Sequence, residues 1–352
     1  MKPYTLRSRL RGFSLVELMI ALLLGLLVIG GASSVFLSNK QSYRTNEAIG
    51  RLQENARVAF DLIARDIRNA ALTGCGNSGR VANVLNNSAT AWWANWANVV
   101  AGYGGTSADS NPSLTTGTGS AQHVTGTDSI ILIGASDSGY GISNNANGTS
   151  TSSPAGFQIS EGSSDLQVGD VIVVCDPDHA TITQITSING SSFITEKTDT
   201  TTPTTSPGNC SHDLSYPTLC SSTASYTFLR NSLLSKLKAV SWYMAANPQG
   251  TTSLYRMTLQ TATLPGGVPT ASPTPQEMVR NVTNFQLRYH MSGGAAFVDA
   301  AGVGAAGSAN WATVDAVQVT ITMQSADTRA GARAQPITRQ MITTIALRNR
   351  VN

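Results

Sequence analysis

The residues best suited to proton transfer or metal binding near neutral pH are four histidines, His123, His179, His212 and His290, and they lie far apart in sequence. None has the i,i+4 spacing of a helical metal pair, and the chain contains no G-x-S-x-G, Walker A or H-E-x-x-H motif. The stretch CDPDH, Cys175–His179, sets Asp176, Asp178 and His179 close together, a group able in principle to hold a cation. A turn started by Asp-Pro is the simpler reading, and no Asp-rich loop has calcium-ligand spacing. AWWANWAN, Ala91–Asn98, gathers Trp92, Trp93 and Trp96. Such aromatics form a sugar- or protein-binding patch when exposed, or pack on a sheet or a neighbouring subunit. The remaining unusual position is Glu17 in RGFSLVELMIALLLG, a lone carboxylate in an apolar run where a charge costs a few kcal/mol or more. These residues predict neither a catalytic centre nor a metal or cofactor site.

The cysteines are Cys75, Cys175, Cys210 and Cys220, with no C-x-x-C among them, which leaves zinc and thioredoxin-like redox sites unsupported. An even count behind a membrane-targeting N-terminus suggests two disulfides formed in an oxidising compartment. Three pairings are open. The short loop between Cys210 and Cys220 favours a local bridge, leaving Cys75 with Cys175.

Positioning these residues falls first to the N-terminal segment. From Leu18 to Leu37 no side chain ionises, and a run of roughly twenty residues is long enough to span a bilayer as a helix. Lys2, Arg7, Arg9 and Arg11 precede it and should stay cytoplasmic, with everything after the run outside. The formal net charge of +3 owes its sign to these four, so the remainder, at about −1, offers no basic patch for nucleic acid. A secretory signal would be shorter and followed by an Ala-x-Ala-like site, whereas here the helical pattern continues. Gly25, Gly30, Gly31, Ser33 and Ser34 suit either a bending segment or close helix packing. Beyond the run, Ile49, Leu52, Ala56, Phe60, Ile63, Ile67 and Ala70 form one apolar stripe. Charged residues, Asp66 among them, occupy the other faces, with Glu47–Arg51, Arg57–Asp61 and Asp61–Arg65 as i,i+4 pairs. A helix from Phe13 to Leu72, on the order of 90 Å long, is predicted to end at Thr73-Gly74.

After Gly79 short alternating segments predict strands at 129–135, 170–176, 180–188, 191–197, 224–230, 238–246, 253–260, 285–291, 315–324 and 339–348. QEMVRNVTN reads as a short helix or turn, and 104–127, 136–165, 199–223, 261–276 and 292–313 as Gly/Ser/Thr-rich loops. The expected class is α+β: a long N-terminal helix, transmembrane in its first half, packed on a mainly antiparallel β-sheet head. Only 12% of residues are charged, which suits a loop-rich extracellular domain better than a cytosolic enzyme.

The segment RG-FSLVELMIALLLGLLVIG resembles the class III signal of type IV pilins and type II secretion pseudopilins. The resemblance implies cleavage by a prepilin peptidase between Gly12 and Phe13, N-methylation of Phe13, and a role for Glu17 as the carboxylate that meets a neighbouring subunit's new amine during assembly. It divides the chain into a leader (1–12), a transmembrane and assembly helix (13–37), an amphipathic continuation (38–73) and a periplasmic or extracellular head (74–352). Many major pilins carry a proline in the apolar helix; this chain has none there. VRNVTNFQLRYHM, WATVDAVQVTITMQS and ITRQMITTIALRNR resemble the end of PilW-type minor pilins and of J-type pseudopilins. Implied are a filament-initiating or tip subunit of the bacterial inner membrane and pilus, active in twitching motility and adhesion, and the inner-membrane assembly machinery with other minor and major pilins as partners. A J-type pseudopilin is the alternative, and a membrane-anchored adhesin or hydrolase using the same signal is a third. Asn86-Asn87-Ser88 and Asn147-Gly148-Thr149 match a glycosylation pattern, read here as chance.

Overall fold

The computed structural model describes residues 12–349 apart from 77–79, 107–109, 147–154, 162–164, 199–202, 222–225, 264–266, 332 and 334. The leader as far as Arg11, the Asn147-Gly148-Thr149 match and Arg350 lie outside the described residues. Helix α1 runs over Leu15–Asn69, 55 residues without a proline. It stops short of Thr73-Gly74 because Ala71 turns into the left-handed region at φ 62°. Ala71 N then donates to Ile133 O at 2.9 Å and Ala135 N to Leu72 O at 2.6 Å. Pairing with the sheet therefore ends the helix before the glycines are reached.

The chain divides into two compact units. The first holds the described residues up to Arg51 together with Ser325–Ile337. Its large apolar side chains between Phe13 and Leu37 are exposed. Farther along, Gln41 Nε2 donates to the carbonyls of Arg329, Ala330 and Gly331 at 3.1, 3.0 and 3.2 Å. Thr45 Oγ1 also donates to Ala330 O, and the Ala330 side chain is wholly buried. Glu47 and Arg51 form the expected i,i+4 pair at 2.7 Å.

The second unit comprises Leu52–Gln324 and Thr338–Asn352 as far as described. Its strands are β1 (Val81–Asn83), β2 (Val100–Tyr103), β3 (Ser129–Ala146), β4 (Ala155–Ile159), β5 (Val171–Cys175), β6 (Ala180–Gln184), β7 (Ser187–Asn189) and β8 (Ser192–Thr195). There follow β9 (Leu233–Ala246), β10 (Thr252–Thr263), β11 (Pro269–Arg280), β12 (Val282–Met291), the short helix α2 (Ala300–Val303), β13 (Val314–Gln324) and β14 (Thr338–Ala346). One sheet of 11 strands has β9 near its middle, flanked by β3, β5 and β10. A second sheet orders β12-β13-β14. Among the strand pairs β1–β6 is parallel and the others are antiparallel, so the structure is α+β with a long N-terminal helix.

Strand β5 shows how the core is laid out. Val171, Val173 and Cys175 join one apolar cluster, with Ile131, Ile133 and Trp93. Ile172 and Val174 join another on the opposite face, with Phe157, Phe193 and Phe228. A strand buried on both faces reads as an unbroken apolar run, which is what VIVVC is.

The helix stripe is close to the expected one but shifted. Leu52, Ala56, Ala59, Ile63, Ala64 and Ile67 are buried, whereas Ile49 and Phe60 are only half-buried. The small side chains bring the helix end close to the sheet: a Cβ on Gly134 would lie 2.5 Å from Asn69 O, so that position has no room for a side chain.

Other expectations need correction. QEMVRNVTN is neither helix nor turn; it lies across β11 and β12, where pairing with β10 and β13 outweighs local preference. Parts of the loops placed at 136–165 and 261–276 are strand, because β3, β10 and β11 extend well past their apolar centres. The strand placed at 224–230 is absent over the described residues 226–230. There Phe228 fills the core from a loop and Tyr226 packs on its edge.

Cys75 is bonded to Cys175, with Cα atoms 5.9 Å apart, and Cys210 to Cys220, at 5.2 Å. The first closes a stretch of 100 residues and the second only 10. Loop-closure entropy therefore assigns the larger share of stability to the first. Replacing Cys75 and Cys175 together by serine is expected to lower unfolding free energy by about 2–4 kcal/mol. Serine at Cys210 and Cys220 should cost less. Denaturant unfolding followed by circular dichroism measures both.

Candidate functional site

The N-terminus of α1 is built from Ser14-Leu15-Val16-Glu17, an S-x-x-E pattern that the apolar run obscures in the sequence. Ser14 Oγ accepts from Glu17 N at 3.4 Å, and Leu18 N donates to Ser14 O at 3.1 Å. The serine thus caps the first turn. The Glu17 carboxylate is exposed and makes no hydrogen bond or ion pair among the described residues. Its place in the first turn is favourable, since the helix dipole puts positive potential there. Gly12 and Phe13, both exposed, precede the Ser14 cap. The helix passes through Gly25, Gly30, Gly31, Ser33 and Ser34 without a break, and Ser34 Oγ donates to Gly31 O at 2.8 Å. Apart from the adjoining backbone of the helix itself, no described atom lies within 4 Å of a Cβ built at any of the three glycines. This is one helix long and apolar enough to cross a membrane. What it offers chemically is an unpaired carboxylate on a smooth apolar rod, able to take a cation from another molecule.

A second feature lies within the head and was not foreseen. Asp66 sits among the charged residues in sequence, yet it is 4% exposed. Trp242 Nε1 donates to its Oδ2 at 2.9 Å, Arg256 Nε at 2.7 Å and Arg256 Nη2 to Oδ1 at 3.1 Å. Lys238 Nζ lies 2.8 Å from Oδ1. Desolvation pushes this carboxyl up, but the hydrogen bonds and charges of Arg256 and Lys238 outweigh it and hold the group below the ordinary carboxylate range. The neighbouring Arg65, expected to pair with Asp61, reaches Asp137 instead, while Arg57 and Asp61 pair loosely at 3.9 Å. A signal for the Asp66 cluster did exist: Lys238 opens the otherwise uncharged run KAVSWYMAA of β9, and Arg256 interrupts SLYRMTLQ of β10.

The CDPDH stretch is a turn. Asp176 Oδ1 accepts from Asp178 N at 2.9 Å and His179 N at 3.2 Å. His179 is wholly buried, with Nδ1 2.9 Å from Asp178 Oδ2 and Nε2 2.8 Å from Leu214 O. Tyr226 donates to Asp176 Oδ2 at 2.7 Å; burial and that carboxylate push its hydroxyl pKa upward. These polar groups satisfy one another and close the edge of the second core cluster. Among the described residues no group of three His, Cys, Asp or Glu side chains is arranged to hold a metal. Trp93 is buried in the first core cluster, and Trp92 and Trp96 are half-buried against it. The tryptophans pack on the head itself.

Two family models match the chain. Residues 7–33 match the prokaryotic N-terminal methylation motif, and residues 241–349 match type IV pilus-assembly protein W. The second match covers β10 to β14 and the last six residues of β9, including Trp242 and Arg256. No curated protein and no solved structure matches the chain. The prepilin-type methylation motif on the helix and the similarity of 241–349 to type IV pilus-assembly protein W together support a type IV pilus-related, pilin-like character for this chain.

Proposed function

We propose that the chain is a minor pilin of the type IV pilus, a non-catalytic subunit that joins other minor and major pilins through Phe13–Leu37 and starts or caps the filament. In this reading prepilin peptidase cuts between Gly12 and Phe13, and Phe13 is N-methylated. The apolar helix waits in the bacterial inner membrane with the head in the periplasm. The assembly machinery of that membrane then moves the subunit into the pilus, near its tip. The observation that carries the proposal is the Glu17 carboxylate, without a partner among the described residues, on the exposed apolar first half of the helix, at the fifth position after the expected cut. A bulky head also suits a tip better than a repeating shaft.

Deletion of the gene, with complementation by the full chain, tests the assignment. Loss of surface pili and twitching motility is expected. Intact piliation with lost exoprotein secretion would instead favour a J-type pseudopilin. Crosslinking from cysteines introduced within 13–37 should capture other pilins.

A further inference from the structure

The first unit places four cations just past the apolar run. Lys40 and Arg44 lie on α1, and Arg329 and Arg333 on the Ser325–Ile337 segment. The segment is fixed on the helix by side chains of α1. Gln41 Nε2 gathers three successive carbonyls, those of Arg329, Ala330 and Gly331, and Thr45 takes Ala330 O again. Arg329 is thereby level with Gln41, between Lys40 and Arg44. Gln41, Arg44 and Thr45 share one helix face by their i,i+3 and i,i+4 spacing, and all three are half-buried, as expected of the face the segment covers. Lys40, Arg329 and Arg333 remain exposed.

No ion pair engages Lys40, Arg44, Arg329 or Arg333 among the described residues. Of the acidic groups of this region, Glu47 pairs with Arg51 at 2.7 Å, and Asp327, whose Oδ1 accepts from Arg329 N at 2.8 Å, offsets one of the four cations and leaves them in excess. Tyr43, on the same turn as Lys40 and Arg44, is 70% exposed. Aromatic residues of this kind are enriched where bilayer meets water.

The level along the helix is also right. Counting about 1.5 Å per residue, Lys40 lies roughly 5 Å beyond Leu37 and Thr45 about 12 Å beyond it. The headgroup layer begins where the hydrocarbon ends and is on the order of 5–8 Å deep. Lys40 and Gln41 therefore fall within it, and the docked segment lies against its outer boundary.

We infer that Lys40, Arg44, Arg329 and Arg333 form a cationic collar that binds the phosphates of anionic phospholipids in the leaflet facing the head. The Ser325–Ile337 segment is the part of the collar that the helix alone does not supply. This rests on the reading of Phe13–Leu37 as a membrane span. The occupant is a lipid headgroup because the cations adjoin the apolar run directly, with an exposed tyrosine at the same level, and because their charge complements phosphate.

The test uses the full chain, wild type and R329Q/R333Q, reconstituted into phosphatidylcholine vesicles with or without phosphatidylglycerol. Resistance to carbonate extraction reports the span. Lipid retained after detergent purification from the mixed vesicles, counted by native mass spectrometry, reports the collar. Both proteins should resist carbonate. The wild type should retain phosphatidylglycerol over phosphatidylcholine, and the variant should lose most of that preference, on the order of thirtyfold for two basic residues. R329K/R333K should keep it. Carbonate-resistant wild type with no preference, or a variant that retains phosphatidylglycerol as the wild type does, overturns the collar alone. Extraction of the wild type by carbonate overturns the span and the collar with it.

Discussion

Glu17→Ala protein is expected to be cut between Gly12 and Phe13 and to remain in the membrane, yet to be missing from sheared filaments. The substitution removes the carboxylate but leaves the apolar surface and the Ser14 cap, which uses the Glu17 backbone N rather than its side chain. Recognition of the leader and partition into lipid therefore persist. Assembly is another matter. A filament core is dry, and the amine created at Phe13 of a neighbouring subunit would enter it without a partner. Removing one member of a buried ion pair costs about 3–5 kcal/mol, which corresponds to roughly a hundred- to a thousandfold loss of incorporation. Mass spectrometry of the mature N-terminus and immunoblotting of sheared pili measure the two halves of the outcome. Glu17→Gln keeps a hydrogen-bond acceptor without the charge and should fall between. Wild-type incorporation of the alanine variant would remove the basis for the carboxylate's role.

Asp66→Ala should destabilise the head more than any surface change. Three groups converge on that carboxylate, and two of them, Arg256 and Lys238, are only 18% and 24% exposed at their side chains. Without Asp66, Arg256 loses its hydrogen-bonded counter-charge, Lys238 keeps only the attraction of Asp137, and Trp242 N–H loses its acceptor. The cost is about 3–5 kcal/mol, towards the lower end because both cations keep some access to water. Asp66→Asn retains one acceptor for Trp242 and should cost less. Denaturant unfolding at neutral pH measures both. The same group gives a pH dependence with a definite sign. Its pKa in the fold is depressed, so its contribution is complete above the unfolded value of about 3.9 and is lost as pH falls through the folded value. The acid-side drop in stability expected of the native protein should accordingly be smaller for Asp66→Ala.

What the sequence made legible follows from periodicity and from simple length. The apolar run, the stripe at Leu52, Ala56, Ile63 and Ile67, and the alternation in β12 and β13 each carry a local pattern, and each stands in the structure as such. The failures have a common physical source. Asp66 looks solvated because its partners come from strands some 170 or more residues later, and the helix pattern contains nothing about them. The helix end at Asn69 is set by pairing with Ile133 and Ala135 rather than by Gly74. Tyr226 and Phe228 alternate as in a strand, but they enter the second core cluster from a loop, since hydrophobicity specifies burial without specifying backbone pairing. The cap at Ser14 was visible as S-x-x-E, hidden only because the same residues also read as the start of a membrane span.

The Cys75–Cys175 bond also bears on mechanics. It fastens the chain six residues beyond the end of α1 to the last residue of β5, a strand hydrogen-bonded on both sides, to β6 and β9. Tension arriving along the helix thus enters the middle of the sheet through a covalent link and is shared by neighbouring strands loaded side by side. The covalent path bypasses the loops between Cys75 and Cys175, so these can vary in sequence without weakening that link.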